Sequence, residues 1–140
     1  MRRVTRTAFA HVGLNCRNMR ATERFYVRHF GFRRARVVPL GKGNRIVFLK
    51  SKTAYLELFQ AKGRARAVAG DGPGEDGFRH MAFQVASVDR KIREMGKAAK
   101  VTLGPFSFDG FIKGWRGAWL RDPDGRIIEL SQGYRDEKRP

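Results

Sequence analysis

The chain states one pattern twice. Phe9-Ala-His-Val-Gly-Leu-Asn15 alternates apolar and polar residues, and Phe78-Arg-His-Met-Ala-Phe-Gln-Val85 does so again, so that His11 and His80 hold matching places 69 residues apart. Tyr55-Leu-Glu-Leu-Phe59 is echoed by Ile127-Ile-Glu-Leu-Ser131, which sets Glu57 and Glu129 in step at a spacing of 72. Gln60 and Gln132 each follow three residues after their glutamates. Small insertions account for the difference between the two spacings. Self-similarity of this kind marks repeated copies of one supersecondary unit, so neither half can adopt a fold that the other cannot also form.

Each copy reads as βαβββ. After the first alternating segment, Asn18 can cap a helix in which Met19, Tyr26 and Phe30 recur at helical spacing, and Gly31 supplies a left-handed stop. Strands follow near 32–38, 45–50 and 54–60, with turns at Gly41, Gly43 and between Lys50 and Thr53. This first module covers about 7–60. Residues 61–77, which include Gly70-Asp-Gly-Pro-Gly-Glu-Asp-Gly77, form the natural linker. In the second module, about 78–133, Ser87 caps a helix marked by Val88, Ile92 and Met95 and closed by Gly96. Strands near 100–107, 115–121 and 126–132 complete it, the last two joined by the turn Asp122-Pro-Asp-Gly125. The expectation is a single α+β domain over residues 1–140.

At 140 residues, 41% of them hydrophobic and 31% charged, the chain can bury a real core and is not a disordered polyelectrolyte. No apolar run approaches the roughly 20 residues of a membrane span, and the charged start is not a secretory signal, so a soluble cytoplasmic protein is expected. Cys16, the single cysteine, excludes an intrachain disulfide and is expected as a small buried hydrophobe. The 30 Lys and Arg against 13 Asp and Glu give a net charge of +17, which favours anionic partners. Those residues are scattered, the densest groups being Arg33, Arg34 and Arg36 and then Lys62, Arg64 and Arg66, with no nucleic-acid motif around them. Nucleic acid is expected to bind at most non-specifically.

Side chains alternate across a strand. Ala10, Val12 and Leu14, with Leu56 and Leu58, therefore take one face of the first module; Met81, Phe83 and Val85, with Ile128 and Leu130, take the matching face of the second. Those faces should meet the helices, leaving His11, Glu57, His80 and Glu129 on the opposite face. Imidazoles and carboxylates withdrawn together from water are costly unless something neutralises the acids and orients the rings. A divalent cation does both, and a nitrogen and oxygen donor set without thiolate suits Zn, Ni, Co, Mn or Fe. His29, in the first helix, has no counterpart in the repeat and is read as structural or surface.

With these features the chain resembles the vicinal-oxygen-chelate superfamily, which includes glyoxalase I, bleomycin resistance proteins and extradiol dioxygenases. The resemblance spans about Phe9 to Gly133 and rests on Ala10-His-Val-Gly13, Glu23-Arg-Phe-Tyr-Val-Arg-His-Phe-Gly-Phe32, Tyr55-Leu-Glu-Leu58, Gly77-Phe-Arg-His-Met-Ala-Phe83 and Arg121-Asp-Pro-Asp-Gly-Arg-Ile-Ile-Glu-Leu130. It implies paired βαβββ modules forming a cupped, barrel-like mixed sheet with helices outside, and a homodimer. It also implies one divalent metal ion held by His11, Glu57, His80 and Glu129. The implied activity is that of a glyoxalase-like lyase or isomerase on a small substrate, an anionic one being favoured by the net charge, that chelates the metal through neighbouring oxygens, with Glu129 as proton carrier and Glu57 as its alternate. Where bacterial glyoxalase I uses an Arg and an Asn to help hold glutathione, this chain has Asn15 and Ala61. The segment from Phe106 to Trp115 reads as a loop over the cup mouth, with Lys113, Trp115 and Trp119 as pocket candidates. The competing readings are an Fe(II) ring-cleaving dioxygenase of the same fold and a non-catalytic ligand-sequestering protein.

Overall fold

The computed structural model describes residues 7–63 and 77–139. Its contacts divide the chain into two compact units, Met1–Ala65 and Arg66–Pro140. The division falls within the expected linker, of which 64–76 lies outside the described residues.

The first unit contains β1 (His11–Cys16), α1 (Met19–Phe30), β2 (Arg33–Gly41), β3 (Asn44–Lys50) and β4 (Tyr55–Gln60). Its sheet runs in the order β1-β4-β3-β2, with β1 parallel to β4 and the other neighbours antiparallel. The second unit repeats this with β5 (Met81–Gln84), α2 (Val88–Met95), a 3-10 turn at Gly96–Ala98, β6 (Lys100–Ser107), β7 (Arg116–Arg121) and β8 (Ile127–Gln132). The order is β5-β8-β7-β6, with β5 parallel to β8. The protein is thus α+β and built as two βαβββ modules, each a separate four-stranded mixed sheet with one α-helix.

Local chemistry explains the boundaries. Asn18 Oδ1 accepts from the Ala21 amide at 3.0 Å, and Ser87 Oγ accepts from the Arg90 amide at 3.2 Å. Each serves an amide that the first helical turn leaves without a partner. Gly31 ends α1 at φ 69°, and the β2–β3 hairpin turns through Lys42 and Gly43 at φ 52° and 76°, as a type I′ turn demands. Pro39 and Pro105 lie in β2 and β6, the outer strands, where a missing amide donor costs no ladder bond. The strands carrying the histidines begin later than the alternation suggests. His11 pairs with Tyr55, the first residue of β4, and Met81 pairs with Ile128, near the start of β8, so Phe9, Ala10, Phe78 and Arg79 precede the ladders, and His80 sits one residue before β5 rather than within it. Ala10 is consequently exposed and takes no part in the packed face.

The duplicated glutamines stitch each last strand to its helix. Gln60 Oε1 accepts from the Met19 amide at 3.2 Å while its Nε2 donates to the Cys16 and Arg17 carbonyls; Gln132 Oε1 accepts from the Val88 amide at 2.9 Å. Leu14, Cys16, Phe25, Tyr26, Val47, Leu49, Leu56 and Leu58 form the buried core of the first unit, and Val88, Ala118, Leu120, Ile128 and Leu130 that of the second. Cys16 is fully buried, as expected, with its Sγ donating to the Leu14 carbonyl at 3.5 Å. His29 is half-buried against the Phe25 ring, with centroids 5.4 Å apart.

Candidate metal centre

In a parallel pair, a residue on one strand faces diagonally a residue two places along from its direct partner. Glu57 pairs with Gly13, and Glu129 pairs with Ala82, in both cases two residues after the histidine. The shared register makes the same contact twice. His11 Nε2 lies 2.9 Å from Glu57 Oε2, and His80 Nε2 lies 2.9 Å from Glu129 Oε2. The carboxylate side chains are only 16% and 13% exposed, whereas those of His11 and His80 are 42% and 22% exposed. Within either unit, among the described residues, no group of three or more His, Cys, Asp or Glu side chains forms, so the donors come as two pairs.

Each pair stands against an aromatic wall. Phe48 is the direct cross-strand partner of Glu57 and meets the His11 ring edge-on, with centroids 5.9 Å apart and planes at 88°. Trp119 is the partner of Glu129 and meets His80 edge-on at 6.4 Å and 82°. The repeat therefore extends to an aromatic residue beside each pair. Phe48 escaped the sequence reading because it lies nine residues before its glutamate and Trp119 lies ten before its own. The turn between β7 and β8 is one residue longer than that between β3 and β4, which hides the match.

The second pair is also crowded from the side. A Cβ on Gly117 would lie 3.1 Å from the Phe108 ring and 3.4 Å from Glu129 Oε1, so glycine there leaves room for both side chains. At Gly13 in the first module the same addition meets the Phe59 ring and Glu57 only at 3.7 and 3.8 Å, ordinary contact distances. Among the three pocket candidates, Trp119 lies beside His80. Trp115 donates from Nε1 to Ser131 Oγ at 3.1 Å and packs on Phe108 and Tyr134. Lys113 lines a different hollow of about 1030 Å³ with Phe111, Tyr134 and Glu137, which neither His80 nor Glu129 lines. The segment between β6 and β7 is a compact turn closed by its own hydrogen bonds, from the Phe108 amide to Trp115 O at 2.8 Å and from the Gly114 amide to Asp109 Oδ1 at 2.7 Å.

Buried charge fixes β8, which carries Glu129. Asp122 Oδ1 accepts from the Asp124 and Arg126 amides at 2.9 and 3.0 Å, and its Oδ2 accepts from the Arg126 guanidinium at 2.8 Å. Arg126 also reaches Asp124 at 3.4 Å. At the other end of β7, Arg116 forks onto Asp89 of α2. Its hydrogen bonds hold the Asp89 carboxyl below the usual aspartate range and raise the guanidinium.

The donor chemistry of each pair fits a divalent ion. An imidazole nitrogen and a carboxylate oxygen 2.9 Å apart have the separation of adjacent ligands that each lie roughly 2.0–2.2 Å from one metal. In each pair the imidazole is more exposed than the carboxylate beside it.

No curated protein matches the sequence significantly. Solved structures do. The glyoxalase family protein from Enterococcus faecalis is 28% identical, covers 89% of this chain and 96% of its own, and superposes with a TM-score of 0.67. Lactoylglutathione lyase from Agrobacterium tumefaciens is 26% identical over 91% of this chain and 95% of its own, with a TM-score of 0.60. FosX, the fosfomycin resistance protein of Listeria monocytogenes, shares the fold at 19% identity, covering 93% of this chain and 96% of its own with a TM-score of 0.66. Members of this group include many enzymes, and also proteins without catalysis, and they typically use a divalent metal. With residues 8–130 matching its sequence profile, the chain belongs to the Glyoxalase/Bleomycin resistance protein/Dioxygenase superfamily.

Proposed function

We propose that the protein is a metal-dependent lyase or isomerase of glyoxalase type, acting on a small substrate that presents two neighbouring oxygens. The observation that supports it most is the duplicated His–Glu pair at the same 2.9 Å, with each glutamate paired to the residue two places after its histidine. His11 and Glu57 from the first module and His80 and Glu129 from the second would hold one divalent ion. When bound, the ion supplies Lewis-acid polarisation of the substrate oxygens. The chain's own residues do the rest. Glu129, beside Trp119 and Gly117, moves the proton, with Glu57 as its alternate. His80, edge-on to Trp119, is kept from rotating away from Glu129. A homodimer is the assembly we expect.

Four protein donors favour redox-neutral chemistry. An Fe(II) oxygenase needs room for substrate and dioxygen together, which its two-His, one-carboxylate face provides by leaving three of about six positions open. Here Glu57 would add a fourth donor and take one of them. Loading metal-free protein separately with Ni, Co, Zn and Fe(II) and assaying a panel of small α-oxo adducts and catechols tests this. Turnover with Zn or Ni and no oxygen uptake is expected. Oxygen uptake on catechols confined to Fe(II) would replace this reading with ring cleavage.

A further inference from the structure

We propose that the first module carries a second ligand site, on the face of its sheet opposite His11 and Glu57, for a small phosphate-bearing anion held by Arg20, Arg24 and Arg45. Strand alternation fixes the face. On β3, Val47 and Leu49 are fully buried and pair with Leu58 and Leu56, whereas Phe48 pairs with Glu57. Arg45 has the parity of Val47 and Leu49, so it lies on their side of the sheet and away from the metal pair. On α1, Arg20, Glu23, Arg24 and Val27 stand at the spacing i, i+3, i+4, i+7 and form one stripe along the helix. With Arg34 of β2 and Arg45 these residues line an open hollow of about 430 Å³, within the usual range for small-molecule sites.

The charges in this hollow do not cancel. Glu23, the single acid lining it, is taken by Arg34 through a two-point contact at 2.7 and 2.8 Å. This pair raises the Arg34 guanidinium and leaves three cations, Arg20, Arg24 and Arg45, facing the same space. Among the described residues Arg45 Nε is buried with no protein group accepting from it. Arg45 also lines two neighbouring hollows, so it stands at the centre of the basic surface. Like charges gathered around a walled cavity repel one another until an anion enters, and a planar guanidinium matches phosphate oxygens two at a time. A phosphate dianion offers enough oxygens for three guanidinium groups, which a single carboxylate does not. The groove is walled by a helix on one side and strands on the other, and the remaining basic residues are scattered, so we assign a small ligand rather than a nucleic-acid backbone.

Calorimetric titration of inorganic pyrophosphate into chelator-treated full-length protein tests this, because the chelator removes a metal ion as a competing site for the anion. One saturable site is expected. Arg45→Met and the exposed double variant Arg20→Met/Arg24→Met should each weaken it by about tenfold or more. Arg90→Met/Lys97→Met, which removes the same charge from the other unit, should change it less than about twofold, and His11→Ala should leave it unchanged. If the control double variant weakens binding as much as the Arg20/Arg24 pair, or if no saturable site exists, the proposal fails. It also fails if a single-stranded oligonucleotide binds while pyrophosphate does not.

Discussion

Asp122→Ala is expected to destabilise the protein by about 3–5 kcal/mol, the cost of breaking a buried ion pair by removing one partner. The side chains of Asp122 and Arg126 are 0% and 6% exposed, and the aspartate serves two backbone amides as well as the guanidinium. Alanine would leave all three donors short and Arg126 with Asp124 at 3.4 Å as its remaining buried carboxylate among these contacts. For a domain of this size the loss lowers the melting temperature by on the order of 10 °C. Urea unfolding of the variant beside the parent measures it. A loss below about 1 kcal/mol would show that the cluster is solvated and does not anchor β8.

The second large effect concerns chemistry. Glu129→Gln should keep the unfolding midpoint near that of the parent, because an amide fits the same space beside Phe108 and Gly117. Turnover on a substrate identified by the panel should nonetheless fall by roughly a hundredfold or more, the scale of a lost general base. Glu57→Gln should act mainly through metal affinity. If Glu129→Gln turns over normally and Glu57→Gln does not, the two carboxylates exchange roles.

Much of this architecture was legible because the repeat is written in period-2 patterns and caps that act locally. Asn18, Gly31 and Ser87 end or begin helices wherever the rest of the chain goes, and Leu56, Leu58, Ile128 and Leu130 report the buried face directly. The His–Glu pairs were legible for the same reason, since a shared register follows from a shared sequence. What escaped depends on distance in three dimensions. Phe48 and Trp119 match only after a one-residue insertion is removed. Gly117 reads as a turn or weak strand position until the ring and carboxylate beside it are known. The turn at Asp122-Pro-Asp-Gly125 was visible, but its burial with Arg126 was not, because turn residues are usually solvated. The cup expected from the family resemblance concerns the relation between modules, which patterns inside each module do not encode. Arg20, Arg24 and Arg45 looked like unremarkable members of a basic surface because helix and strand bring them together only in the fold.

The measurement that bears most directly on the central proposal is metal content. Protein purified without a chelating column, incubated with Ni or Zn and dialysed, should retain about one ion per chain, and the ion should raise its stability by about 2.7 kcal/mol at a hundredfold excess over the dissociation constant. That stoichiometry is the same whether the four donors come from one copy or two. His11→Ala and His80→Ala should each lose the ion and the added stability together. Full metal occupancy in both variants would contradict the assignment of His11, Glu57, His80 and Glu129 as its ligands.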